Sequence, residues 1–394
     1  MARHDVVVAG SGPAGWAAAV ECAEAGLSTS LVAPSPSAAW HPTFSSWVDD
    51  LDKLGLSDCL SHRWPVVQAG SRLLPRPYGR IENERLQRRL IDRAEQAGVV
   101  IHEGRSAGVR HERTGSTLLL TDGRSLDATV VVDATGASGS LVEGRGVAPA
   151  TQTAYGIEAT LSEAPSEAGC VFMDFSAGKP HDRPPTFLYA QALGEDRWFL
   201  EETVLACVVP MPPEQLKAAL LERCRQRGIA LTDIVEVETV AIPMGLRVPL
   251  PQRVVGVGAA GGAIHPATGY SLVTSLGSAP EMAKGIADAL QRRATPEAAS
   301  LAAWAALWPD TQRRARTLQE YGLDVMMKMS RQRLGEFFDQ FFGLSQVDQA
   351  TYMRSTSSSR EVAAVMSRLW MDVPTSLRIA LMKGDLTKLF RAVR

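Results

Sequence analysis

Two sets of residues in this chain have types and spacings that can do chemistry. Gly10, Gly12 and Gly15, with Pro13 and Ala14 between them, form a GxGxxG turn directly after the apolar run VVVAG and before a helical stretch. Gly10 permits a tight turn, Gly12 lets a pyrophosphate approach the backbone, and Gly15 lets the helix pack close to the strand, so that the helix N-terminus faces the phosphates. The bare pattern is weak, but in a strand, turn and helix setting it points to a dinucleotide site. The second set is the segment FLEET, from Phe199 to Thr203. On a strand, Phe199, Glu201 and Thr203 point one way while Leu200, Glu202 and Val204 point the other, so one glutamate at most readily faces a given cavity. A carboxyl in an apolar pocket keeps its proton, because burial raises its pKa, and can serve as a general acid. The plainer alternative is that both glutamates satisfy hydrogen bonds or a salt bridge at a sheet edge. Asp174, in VFMDF, is expected to share a face with Cys170 and Phe172 and is a candidate partner carboxylate, with a solvent-facing role as its alternative.

These residues need elements to position them. DVVVAGSGPAGWAAAVECAEAGLSTSLVAP reads as a βαβ unit, with Gly26 placed to stop the helix. RLQRRLIDRAEQAGVVIHEG reads as an amphipathic helix followed by a strand, and ATVVVDATGAS as a buried strand ending in a small-residue turn. That last segment, ending in Asp133, Ala134, Thr135 and Gly136, resembles the second fingerprint of FAD-dependent enzymes of the glutathione-reductase type, which favours FAD over NAD. Ala33 and Pro34 stand where an acidic ribose contact is usual, so the adenosine end must be held in another way. From about Thr151 to Thr239 alternating strands with longer loops predict an antiparallel sheet. RVVGVGAAGGAIHPATGYSLVTSL returns to a strand, glycine turn and helix. The expected fold is therefore α/β: a two-dinucleotide Rossmann-type FAD domain over residues 1–150 and 240–296, an antiparallel-sheet substrate domain over 151–239, and a helical region over 297–394, broken mainly by SQVDQATYMRSTSSSRE.

Composition narrows the function classes. The 394 residues are 45% hydrophobic and 21% charged, ordinary for a globular protein, and the net charge of −2 offers no basic footprint for nucleic acid. Cys22, Cys59, Cys170, Cys207 and Cys224 follow neither a CxxC nor a disulfide-scaffold pattern, so a reducing, cytoplasmic setting is expected and no metal site. The N-terminus lacks the apolar stretch of a signal peptide, and no run approaches membrane-spanning length. The C-terminal SLRIALMKGDLTKLFRAVR mixes an apolar face with Arg378, Lys383, Lys388, Arg391 and Arg394. It suits either peripheral attachment to an anionic membrane or packing on the core with a solvated basic face.

Several segments together resemble the lycopene cyclase family over nearly the whole chain: QTAYGIE (Gln152 to Glu158), VFMDF, PTFLYA (Pro185 to Ala190), FLEET, HPATGYS (His265 to Ser271) and FFDQFFGL (Phe337 to Leu344), in the family's order. The resemblance implies a flavoprotein that closes a six-membered ring on the end of a hydrophobic isoprenoid, with reduced FAD active and NADPH as the expected electron donor, although the reaction is redox-neutral. Ring closure needs an acid to protonate an alkene, π-faces to stabilise the cation, and a base to remove a proton. The family points to Glu201 as the acid or base, with Glu202 second. It also places His265, Pro266, Thr268, Gly269 and Tyr270 beside the flavin. Trp47, Tyr155, Tyr189, Phe337 and Phe338 are candidate substrate contacts. The chain departs from the family at WHPTFSSW (Trp40 to Trp47), which leaves room for another terpenoid or a polyprenylated substrate, and at Asn83, where an arginine that would contact the pyrophosphate is usual. An FAD-dependent isoprenoid reductase or monooxygenase, or a non-catalytic isoprenoid binder, are the rival readings.

Overall fold

The computed structural model describes residues 3–139, 141–176 and 184–393. The N-terminal apolar run forms the strand His4–Ala9, which pairs in parallel with Thr29–Ala33 on one side and Ser125–Asp133 on the other. Val100–Glu103 extends the sheet beyond Thr29–Ala33. The strand Ser125–Asp133 divides its far edge: its first half pairs antiparallel with Gly115–Leu120, and its end pairs in parallel with Val254–Gly256. Val6, Val7, Val8, Leu31 and Val130 to Val132 are fully enclosed, as the continuous apolar runs of a two-sided parallel sheet require. The helices Pro13–Glu24, Leu272–Gln291 and Pro296–Leu307 share this core. Trp304 anchors the last of them by donating its indole N–H to the carbonyl of Val254 at 3.1 Å.

A second seven-stranded sheet runs in the order Leu231–Met244, Ala150–Leu161, Arg197–Cys207, Thr186–Ala192, Cys170–Asp174, Val67–Ala69, Arg72–Leu74. Its last two strands come from before residue 150, so the sheet is assembled across the boundary expected from the sequence, and Leu231–Met244 runs past Thr239. One face is covered by the helix Pro213–Gln226, whose Leu216, Leu220 and Cys224 pack on Tyr155, Ile157, Leu188 and Leu200. The other face looks onto an aromatic core completed by the helices Asp310–Met327, Arg331–Phe341 and Ser359–Asp372, through Tyr321, Phe337, Phe341 and Leu369 among others. A three-stranded sheet, Ser45–Trp47, Tyr78–Ile81 and Leu60–Trp64, joins the two halves. The stretch SQVDQATYMRSTSSSRE does not simply break the helical region. It contains the helix Gln346–Met353, because the Ser345 side chain caps it by accepting the N–H of Asp348.

Candidate active site

The glycine turn has the geometry that its spacing demands. Gly10 sits at φ +117°, and a Cβ there would lie 2.3 Å from the Ala134 carbonyl oxygen. A Cβ on Gly15 would lie 2.0 Å from the Gly10 oxygen, so helix and strand meet only without a side chain. Gly12 differs: nothing lies within 4 Å of its Cβ position, so this peptide faces open space at the start of a helix with no side-chain cap and no acidic residue in its first turn. An anion approaching there meets free amide donors and the positive helix end. The residues present therefore fit a dinucleotide pyrophosphate. Ala33 is buried within its strand, and exposed Pro34 borders a cleft of about 580 Å³ whose walls include Arg105 and Arg124, at the strand end where an adenosine would reach.

Two expected cofactor contacts are instead occupied by protein. Asp133 is fully enclosed, and its carboxylate accepts from the backbone N–H groups of Thr135, Leu141 and Val142 and from the Thr135 hydroxyl. It shapes the turn that carries Gly136, which sits at φ +80°. Asn83 donates its side-chain N–H groups to the carbonyls of Trp40 and Pro42, so it fastens the WHPTFSSW segment where the family's arginine was expected to reach a phosphate.

Beyond the turn lies a cavity of about 830 Å³ between the second sheet and the C-terminal helices. Trp47, Tyr189, Phe337 and Phe338 all line it, with Phe172 in the midst of the aromatics at ring-centroid distances of 5.4 Å from Trp47, 5.6 Å from Tyr78 and 5.8 Å from Phe342. Tyr78 and Tyr270 meet hydroxyl to hydroxyl at 2.9 Å, and Gln191 donates to the Tyr189 hydroxyl at 2.5 Å. Glu201 projects into this cavity with Phe199 and Thr203. Burial pushes its carboxyl up to about 7; the charge of Glu238 adds to that, while the Thr203 hydroxyl, donating to Glu201 Oε1 at 2.5 Å, opposes it. An acid with such a value holds its proton near neutral pH and can release it.

His265 is enclosed but does not line the cavity. Its Nδ1 accepts the N–H of Ala267 at 3.2 Å, which leaves Nε2–H to donate to the Tyr352 carbonyl at 3.1 Å. Burial, with Arg316 nearby, pushes the imidazole down to about 3, so it stays neutral. Its part is to fold the loop in which Ala267, Thr268, Gly269 and Tyr270 reach the cavity wall, while Pro266 remains behind them. Gly269, at φ +75°, leaves space that Gln152 Oε1 occupies 2.2 Å from its Cβ position.

The family description "Lycopene cyclase protein" matches residues 5–379. The chain belongs to the lycopene cyclase family. It is 36% identical to a lycopene beta cyclase of Synechococcus elongatus over 96% of both chains. It is 35% identical to a chloroplastic lycopene beta cyclase of an Oncidium hybrid cultivar, over 99% of this chain and 86% of that one. Among solved structures, a geranylgeranyl bacteriochlorophyll reductase-like protein of Thermoplasma acidophilum shares the fold, with a TM-score of 0.69 at 15% identity, over 96% of this chain and 99% of that one. A probable FAD-dependent monooxygenase of Pseudomonas aeruginosa does so with a TM-score of 0.60 at 19% identity, over 86% and 100%. The fold is thus the FAD-binding two-dinucleotide class with an antiparallel-sheet domain and a helical C-terminal region.

In this lycopene cyclase family member three residues expected to act in catalysis or to touch substrate stand outside the cavity. Glu202, on the opposite face from Glu201, pairs with Arg223 at 2.6 Å. Tyr155 lies opposite Glu202 in the sheet and packs under the helix Pro213–Gln226. Asp174 pairs with Arg227 and accepts the N–H of Ser176. The cause at Asp174 is a bulge: Val171 pairs with Ala190 but Asp174 with Leu188, three residues against two, which turns Asp174 away from the face that Phe172 and Met173 share. The cavity instead holds two carboxyls that sequence reasoning missed, Asp50 and Glu238. Asp50 is bound by Arg76 and Arg354, two residues far apart in the chain.

Proposed function

We propose that this chain is a lycopene cyclase that closes ionone-type end rings by redox-neutral proton transfer, with FAD bound at the glycine turn. The observation that carries this reading is Glu201, a carboxyl held near 7 in the wall of a large aromatic cavity. Its proton goes to a terminal trisubstituted alkene; the tertiary cation is attacked by the neighbouring double bond; loss of a proton then fixes the new alkene. The faces of Phe172, Tyr189 and Trp47 stabilise positive charge in the cavity. Gly10, Gly12, Gly15 and the loop from Ala267 to Tyr270 are the residues that would hold FAD, and in its reduced form, with NADPH as donor, it would supply an electron-rich group near the cation. Excluding water from the apolar cavity keeps the cation from being quenched.

The substrate is lipid-soluble, and the C-terminal helices suit a peripheral membrane contact: Met371, Ile379, Met382 and Phe390 are all well exposed beside Lys383 and Arg391. Among the described residues no helix is long and apolar enough to cross a membrane. All five cysteines are buried and unpaired, in keeping with a reducing compartment such as the cytoplasm. The test of the function is incubation with lycopene and with shorter polyprenyl substrates under reducing conditions. Ring closure leaves mass unchanged and alters absorbance, whereas reduction or hydroxylation changes mass; a product of changed mass would replace this reading.

A further inference from the structure

Glu201 and Glu238 occupy one rung of the second sheet. In the central strand Ala150–Leu161, Gly156 is paired with Glu201 on one side and with Glu238 on the other. Residues directly opposite in neighbouring strands project to the same face, and both glutamates line the cavity. Their backbones are therefore two strand spacings apart, about 10 Å. No side chain stands between them, because the middle residue is glycine. The ring of Phe199 fills that place instead: a Cβ on Gly156 would lie 2.7 Å from Phe199 Cζ. Across the rung the cavity wall thus reads carboxyl, aromatic ring, carboxyl.

The neighbouring rung shows how these carboxyls differ from a structural one. Glu158, two residues along the same strand, is bound by Arg80 at 2.6 Å and Arg197 at 2.9 Å. Among the described residues no arginine or lysine pairs with Glu238; its Oε1 accepts the backbone N–H of Thr43 at 3.0 Å, within WHPTFSSW. That bond holds the side chain in place and calls for an acceptor oxygen. A proton on Glu201 is also favoured by the Glu238 charge.

Resting on the cyclase reading above, we propose that Glu238 is the second catalytic carboxyl, the base that removes the ring proton after Glu201 has supplied the first. Glu201 gives its proton to an alkene carbon, whose π pair forms the new C–H bond. The neighbouring alkene pair closes the C–C bond and leaves a cation beside the Phe199 face. Glu238 then takes a proton from the adjacent ring carbon, and the C–H pair becomes the new double bond. One proton enters and one leaves, so mass and oxidation level are unchanged, and exchange with water restores both glutamates. Since the base selects which carbon loses its proton, Glu238 also sets where the ring double bond lies.

The experiment compares the wild-type chain, Glu238→Gln and Glu238→Asp with lycopene under reducing conditions, measuring bound flavin, rate, and the double-bond position of the products. Glu238→Gln retains an oxygen for Thr43, so flavin should be kept while product formation falls at least about a hundredfold. Its residual product should be enriched in ring isomers with a displaced double bond or in a water adduct, because the cation must be discharged elsewhere. Glu238→Asp withdraws the carboxylate by one methylene and should be slower with a shifted isomer ratio. A near wild-type rate, or a slower rate with an unchanged product pattern, overturns the assignment. Should Glu238→Gln fail to hold flavin, Glu238→Asp decides on the same isomer ratio. No ring product from the wild-type chain would remove the cyclase reading itself, and the role of Glu238 with it.

Discussion

Glu202 and Arg223 meet at 2.6 Å in the interior, both almost wholly enclosed, one residue along the chain from Glu201 but on the other side of the sheet. The Arg223 guanidinium also reaches the carbonyls of Asp174 and Thr186. Breaking a buried pair leaves an uncompensated charge, typically at a cost of about 3–5 kcal/mol. Glu202→Gln should therefore lower the melting temperature strongly while the protein that remains folded keeps most of its turnover. Equal melting temperatures with a lost activity would place the chemistry on this face instead.

Glu201→Gln should do the reverse. Folding and bound FAD survive, and ring closure falls by at least about a hundredfold, the scale of general acid catalysis. The same variant has a stability signature. The folded state holds the Glu201 proton up to about 7, whereas the unfolded chain releases it near 4.5. Between those values the folded state binds more protons, so its stability declines as pH rises, by up to about 1.4 kcal/mol per unit. Denaturant midpoints measured from pH 4.5 to 7 should show that Glu201→Gln lacks this component.

His265 contributes with the opposite sign. Its imidazole is held near 3 when folded and near 6.5 when unfolded, so the unfolded chain binds the extra proton between those values. Stability is then lost as pH falls below 6.5. Glu201 acts with the opposite sign over this range, so replacing His265 with Gln should shift the slope of the denaturant midpoint between pH 6.5 and 5 toward greater stability at lower pH; an unchanged slope counts against a neutral, enclosed imidazole.

At the glycine turn, the space in front of Gly12 separates binding from folding. Gly12→Val adds its side chain where nothing lies within 4 Å, so the apoprotein should fold with an unaltered circular dichroism spectrum yet take up no FAD. Gly15→Val would collide with the Gly10 backbone and should compromise folding itself. Yellow, flavin-loaded Gly12→Val protein would show that the pyrophosphate lies elsewhere.

For the C-terminal helices, flotation with anionic vesicles at low salt should carry the protein upward, and Ile379→Ser with Phe390→Ser should weaken binding several-fold without changing the fold, since both side chains are exposed. Protein that stays at the bottom with anionic vesicles shows that this basic, apolar surface has another use.

What the sequence determined by itself is local. GxGxxG between a strand and a helix states its own backbone geometry, since Gly10 and Gly15 are required by contacts a few residues away or with the adjoining strand. FLEET likewise states that Glu201 and Glu202 diverge, because alternation is a property of any strand. What it could not state is which face meets the cavity, or what stands across from it. Tyr155 faces away from the cavity because the phase of its strand is set by pairing with the distant strand Arg197–Cys207. Asp174 was misplaced because one bulge residue reverses every side chain beyond it. Glu238 left no signal, since VEVET reads as an ordinary edge strand until register sets it level with Gly156 and Glu201. Register is decided by the packing of both sheet faces together, and that packing exists only in the tertiary structure.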